Sequence, residues 1–125
     1  MGSMTARLAN VTFDCADAAK LARFWAEVLG RPLGTEPAPS EDVATIGDGD
    51  HGSSGAPNWL FVRVPEPKPP SKNRVHVDLT ADDREVEVQR LLALGATRIA
   101  DQDEYGLRWT VLQDPEGNEF CVAQA

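Results

Sequence analysis

Positive charge is scarce in this chain. Twelve Lys and Arg face twenty Asp and Glu, giving a formal net charge of −8 and a pI of about 4.6. Such a surface repels a phosphate backbone and an anionic bilayer alike, so neither a nucleic acid nor a membrane is an expected partner. No apolar stretch is long enough to span a bilayer, and nothing has the charged, apolar and small-residue pattern of a signal peptide. A cytoplasmic protein is therefore expected. Cysteine is nearly absent too: Cys15 and Cys121 lack metal-type or redox-type local spacing, and in a cytosolic chain both should be reduced and buried. The 125 residues suffice for one domain that buries roughly two thirds of its unfolded surface. Met1-Gly-Ser before Met4 reads as an expression remnant, so the domain is taken as 5–125.

What the chain does contain is a repeat. Leu8-Ala-Asn-Val-Thr-Phe-Asp-Cys15 leads through Asp17 into a helical pattern that ends at Leu29-Gly30. Val75-His-Val-Asp-Leu-Thr80 leads through Asp82-Asp83 into a second that ends at Leu94-Gly95. Asn10 and His76 are 66 positions apart, and so are Asp17 and Asp83. A constant offset across strand and helix marks an internal duplication.

Leu21, Phe24, Trp25, Val28 and Leu29 form one apolar helical stripe, with Asp17 as cap and Gly30 as stop. Val88, Leu91 and Leu92 form a shorter one. After each helix the period changes to two. Arg31–Thr35, Asp42–Ile46 and Asn58–Val64 are the predicted strands of the first unit, and Ala96–Ala100, Leu107–Leu112 and Glu119–Ala123 those of the second. The fold class is α+β, built from two β-α-β-β-β units over 8–64 and 74–123. The proline-rich segment 65–71 joins them as a stiff, extended connection. Gly47–Gly55, which carries His51, reads as a flexible hairpin tip over a pocket and not as a phosphate loop, because no Lys-Ser/Thr ending and no helix follow it.

Strand alternation sorts the polar residues. Asn10, Thr12 and Asp14 share one face of the opening strand, opposite Val11, Phe13 and Cys15; His76, Asp78 and Thr80 oppose Val75, Val77 and Leu79 in its mate. The apolar faces should pack under the helices, leaving the polar faces to line a cavity. Because histidine as a residue type exchanges protons near neutral pH, His76 is the candidate acid or base. Trp59 and Trp109 lie on strands, as flat walls for a ligand or as packing residues. Cys121 is a candidate pocket thiol, flanked by Phe120 and Val122 on the core side.

Phe24-Trp-Ala-Glu-Val-Leu-Gly30, Lys72-Asn-Arg-Val-His-Val-Asp78 and Asp114-Pro-Glu-Gly-Asn-Glu-Phe-Cys121, set in this repeated unit, resemble the glyoxalase-like branch of the vicinal oxygen chelate superfamily, which includes bleomycin resistance proteins and extradiol dioxygenases. The resemblance runs from about Leu8 to Val122. It implies that the paired units form a curved mixed sheet around a cavity. It also implies a divalent metal held by ligands on the opening and closing strands of each unit. Those positions fall on Asn10, on His76, on Cys121 and somewhere in Asn58–Val64, and only His76 keeps the family's ligand type. No resident cofactor is therefore expected; a metal, if bound, would use His76 with Asn10 and Cys121. The implied function is a glyoxalase-like small-molecule-binding protein that acts on an organic metabolite without metal. The alternatives are a non-catalytic protein that sequesters an antibiotic or metabolite, and a metal-dependent lyase or dioxygenase with an unconventional ligand set. Members of the superfamily commonly pair, so a homodimer is expected.

Overall fold

The computed structural model describes residues 5, 6, 8–47 and 57–125. The glycine-rich segment after Gly47, with His51, lies outside the described residues. Two compact units meet in sequence at Pro67 and Lys68, inside the proline-rich connection.

In the first unit β1 (Asn10–Cys15) is followed by α1 (Ala18–Leu29), β2 (Val43–Ile46) and β3 (Asn58–Arg63). The sheet order is β1-β3-β2, with β1 parallel and β2 antiparallel to β3. In the second, β4 (Val77–Ala81), α2 (Arg84–Leu94), β5 (Thr97–Glu104), β6 (Leu107–Gln113) and β7 (Glu119–Gln124) give the order β4-β7-β6-β5, again with the opening strand parallel to the closing one. The second unit thus has the full β-α-β-β-β plan and the first the same plan short of one strand, an α+β fold with open mixed sheets of four and three strands.

One predicted strand falls short. Arg31–Thr35 makes only an isolated bridge, Leu33 to Ile46, with Gly34 N–H donating to Thr45 O at 2.8 Å. Pro32 has no N–H to donate and Gly34 has no side chain to pack, so the ladder cannot extend. The same position in the second unit has neither residue, and there β5 runs for eight.

Both helices start and stop as their sequences dictate. The Asp17 carboxylate accepts from Lys20 N–H and that of Asp83 from Val86 N–H, each at 3.1 Å, while Gly30 (φ 64°) and Gly95 (φ 118°) take the left-handed conformation that closes each helix. α1 buries Leu21, Phe24, Trp25 and Val28. Against it the core-side face of β1 and β3 sets Phe13, Trp59 and Phe61. Phe13 lies 5.4 Å from Trp59 and 5.2 Å from Phe61, and Trp25 lies 5.2 Å from Trp59, ring centre to ring centre. α2 buries only Val88 and Leu91. Its remaining attachment is ionic: Arg98 grips the Glu85 carboxylate through two hydrogen bonds of 2.9 Å and also reaches Asp101. Arg84 in turn donates to Asp101 and Thr110. Among the described residues no helix is long and apolar enough to cross a membrane.

Candidate functional site

The parallel pairing of β1 with β3 decides which side chains share a face. Asn10 pairs with Asn58, Thr12 with Leu60 and Asp14 with Val62, all on the side away from the aromatic core. Asn10, Thr12 and Asp14 are exposed there, as alternation predicts. Around Asn10 the first unit forms a cavity of about 570 Å³, walled by Leu33, Thr45, Asn58 and Leu60, with Thr35 and Glu36 also lining it. Asn58 is 5% exposed, and its Oδ1 has no hydrogen-bond partner among the described residues. Gly47, at φ 123°, closes over that oxygen: a Cβ there would stand 2.0 Å from Asn58 Oδ1. Glycine is needed for the backbone conformation and for the approach. A Cβ on Gly34 would likewise stand 2.0 Å from Thr45 Oγ1.

Of the two readings of Trp59, its place in the fold is that of a packing residue. It pairs with Val11, on the side of Phe13 and Phe61, and is 8% exposed; its ring packs against those of Phe13 and Trp25. Trp109 has the opposite fate. It pairs with Ala123 on β7, two residues from Cys121, so it shares the Cys121 face and is only partly buried.

In the second unit three candidates converge. His76 immediately precedes β4 instead of lying within it, and its Nε2 stands 3.3 Å from Asp78 Oδ1. Asp78 is the cross-strand partner of Cys121, and one donor atom from each of His76, Asp78 and Cys121 lies within 4.8 Å of the others. The imidazole is 34% and the carboxylate 71% exposed, whereas Cys121 is 8% exposed. Burial pushes the Cys121 thiol above its ordinary pKa, the Asp78 charge and a hydrogen bond to Asp78 push the same way, and the nearby Lys72 charge opposes them. Cys15 and Cys121 are both buried, and neither forms a disulfide.

Repeated register completes the set of positions that the superfamily uses for metal. Thr12 pairs with Leu60 as Asp78 pairs with Cys121, so the closing position of the first unit is Leu60. The four positions then carry an amide, an alkyl group, an imidazole and a thiol. Hard divalent cations need several oxygen or imidazole donors, and this set does not fit them. The residues that sequence reasoning missed are Asn58, Thr45, Leu60 and the two glycines. The Asn58-Leu60-Val62 alternation was visible, but nothing in it indicated a cavity.

Comparison with known proteins decides the family. A family model described as a glyoxalase-like domain matches residues 10–123. The chain belongs to this family. Among solved structures, this glyoxalase-like chain is similar to a glyoxalase/bleomycin resistance protein/dioxygenase family enzyme from Burkholderia phytofirmans PsJN, with a TM-score of 0.74 and 21% identity over 95% of this chain and 98% of that one. It is also similar to the fosfomycin resistance protein FosX from Mesorhizobium loti (TM-score 0.67, 15% identity, 98% and 94% covered). A third is lactoylglutathione lyase from Agrobacterium tumefaciens (TM-score 0.61, 15% identity, 98% and 96% covered). At these identities the likeness establishes the fold. No functionally curated protein matches the sequence significantly.

Proposed function

We propose that this glyoxalase-like chain binds a small organic molecule in the cavity of its first unit, without a resident metal. The observation that carries the reading is the cavity itself: about 570 Å³, apolar at Leu33 and Leu60 and polar at Asn10, Thr45 and Asn58, in the size range of small-molecule sites. In the second unit, independently of that cavity, the candidate acid or base is His76, whose imidazole is partly exposed and stands 3.3 Å from the Asp78 carboxylate.

Sequestration without turnover is the second reading. It is favoured by the cavity walls, where Glu36 is the one ionisable side chain among the described lining residues. Fosfomycin resistance is the described role of one similar structure, so antibiotics belong in the ligand screen beside metabolites. Calorimetric titration of screened compounds into chelator-treated protein tests the proposal. The expected result is binding by the wild type that Leu60→Trp, filling the cavity, abolishes. Undiminished binding by that variant, with its fold verified by circular dichroism, would overturn it. Mass spectrometry of the bound compound after incubation then separates catalysis from sequestration.

A further inference from the structure

The two units carry a polar side chain at the same register position and treat it differently. In the second unit that residue is Glu119, whose carboxylate accepts from Asn73 N–H at 2.6 Å and from Gln113 Nε2 at 3.3 Å and pairs with Lys68 Nζ at 3.4 Å. Its counterpart in the first unit is Asn58, because Leu60 stands where Cys121 does and each residue lies two positions earlier on its strand. Asn58 lines the cavity at 5% exposure, yet among the described residues nothing donates to its Oδ1. It is not one of the four positions that the superfamily uses for metal. We infer that Asn58 Oδ1 is the recognition group of the cavity, and that the ligand carries an N–H or O–H donor beside an apolar body and is uncharged or cationic. This assignment rests on the binding proposed for the same cavity.

A buried acceptor left unpaired costs the desolvation of that group with nothing in return, which is why such groups are rare in folded proteins. An apolar β-branched residue would fill the same place on β3 without that cost and with a better strand propensity. The asparagine therefore weakens the empty protein, and a donor brought by a ligand removes the weakness. Access is a matter of one torsion. Gly47 stands over the oxygen, and rotation about the terminal torsion of Asn58, which has a broad energy profile, turns the oxygen toward the cavity without moving a strand.

The remaining walls set the charge of the ligand. Among the described lining residues there is no lysine or arginine, and the exposed Glu36 supplies the one ionisable group. An anionic head group would face an unpaired carbonyl oxygen and a carboxylate with no cation to answer it, in a chain of net charge −8. An ammonium or hydroxyl group meets acceptors instead. Leu33 and Leu60 take the hydrocarbon part.

Four small probes test this by NMR titration of the chelator-treated protein: benzylamine, benzyl alcohol, ethylbenzene and benzoate. The first three share one shape and end in an ammonium, a hydroxyl or a methyl group. In the wild type, benzylamine and benzyl alcohol should shift the Asn58 side-chain amide resonances, and benzoate should bind least. Asn58→Val should weaken benzylamine about 10-fold or more and benzyl alcohol less, leaving ethylbenzene within about twofold. Its melting temperature should equal or exceed that of the wild type, whereas loss of an asparagine that serves the fold would lower it. Equal weakening of benzylamine and ethylbenzene, or benzoate binding as tightly as benzylamine, overturns the donor assignment while the cavity reading stands, provided Leu60→Trp abolishes binding. If no probe binds, or Leu60→Trp changes nothing, the cavity reading itself has failed and takes the assignment with it. Should Asn58→Val fail to fold, the wild type decides: Asn58 amide resonances unmoved at saturating benzylamine refute the assignment.

Discussion

His76 and Trp59 show how differently single residues are committed. The His76 imidazole is partly exposed, and its ionic contact to Asp78 is of the solvent-facing kind that contributes at most about 1 kcal/mol. His76→Ala should therefore leave the melting temperature within a degree or two of wild type. If the residue serves the proposed catalysis, the same variant loses turnover, so thermal melts and product assays on one protein separate the two roles. Trp59 is packed against Phe13 and Trp25. Trp59→Ala should cost about 3–5 kcal/mol in chemical denaturation, and Trp109→Ala clearly less, because that ring is only partly buried. Gly47→Ala should also destabilise, by more than about 1 kcal/mol, since the new methyl group meets both a positive φ and the Asn58 oxygen.

At the scale of elements, the two helices are held by different forces. α1 is fastened by a broad apolar face, α2 by two apolar residues and a set of charges. Hydrogen bonding to Arg98, then to Gln89, draws the Glu85 carboxyl down to about 2, and Asp101 is also held low, first by Thr110 and then by Arg98. A carboxyl with a depressed folded-state pKa adds stability above its ordinary value near 4.5, and that contribution disappears as pH falls toward about 2. Melting temperature should thus fall across this acid window, modestly because the groups are exposed, and Arg98→Ala should flatten that part of the profile. Added salt should weaken α2 attachment and leave α1 unaffected. Asp17→Ala and Asp83→Ala should each cost about 1 kcal/mol through the lost cap.

The whole molecule is a duplication whose halves have diverged in chemistry. The first unit carries the cavity, with Asn10 and Leu60 at the positions where the second has His76 and Cys121. Among the described residues the sheets end in β1 and β2 and in β4 and β5, and β2's outer edge is met only by the short Leu33 bridge. Open edges are surfaces a second copy can cover, and a homodimer remains our proposal for the assembly. Light scattering across the micromolar range should return twice the chain mass; the monomer mass alone would discard it.

The two β-α-β-β-β units, the caps at Asp17 and Asp83 and the stops at Gly30 and Gly95 were legible in the chain, because strand alternation, helical stripe and cap chemistry are local and the repeat states each of them twice. The family was legible for the same reason, since its segments are contiguous and ordered. The bridge at Leu33 was overcalled as a strand, because β pattern was counted there without charging for Pro32 and Gly34. What the chain alone left open was depth. Trp59 and Trp109 both read as strand aromatics, and only pairing with Val11 in one case and Ala123 in the other puts the first in the core and the second on the Cys121 face. Asn58, Thr45 and Leu60 become one cavity wall, and Asp78 joins Cys121, through registers between strands more than ten residues apart in the chain. Period two tells which side chains share a face of one strand, but the neighbour across the ladder is set by long-range pairing, and that is a tertiary decision.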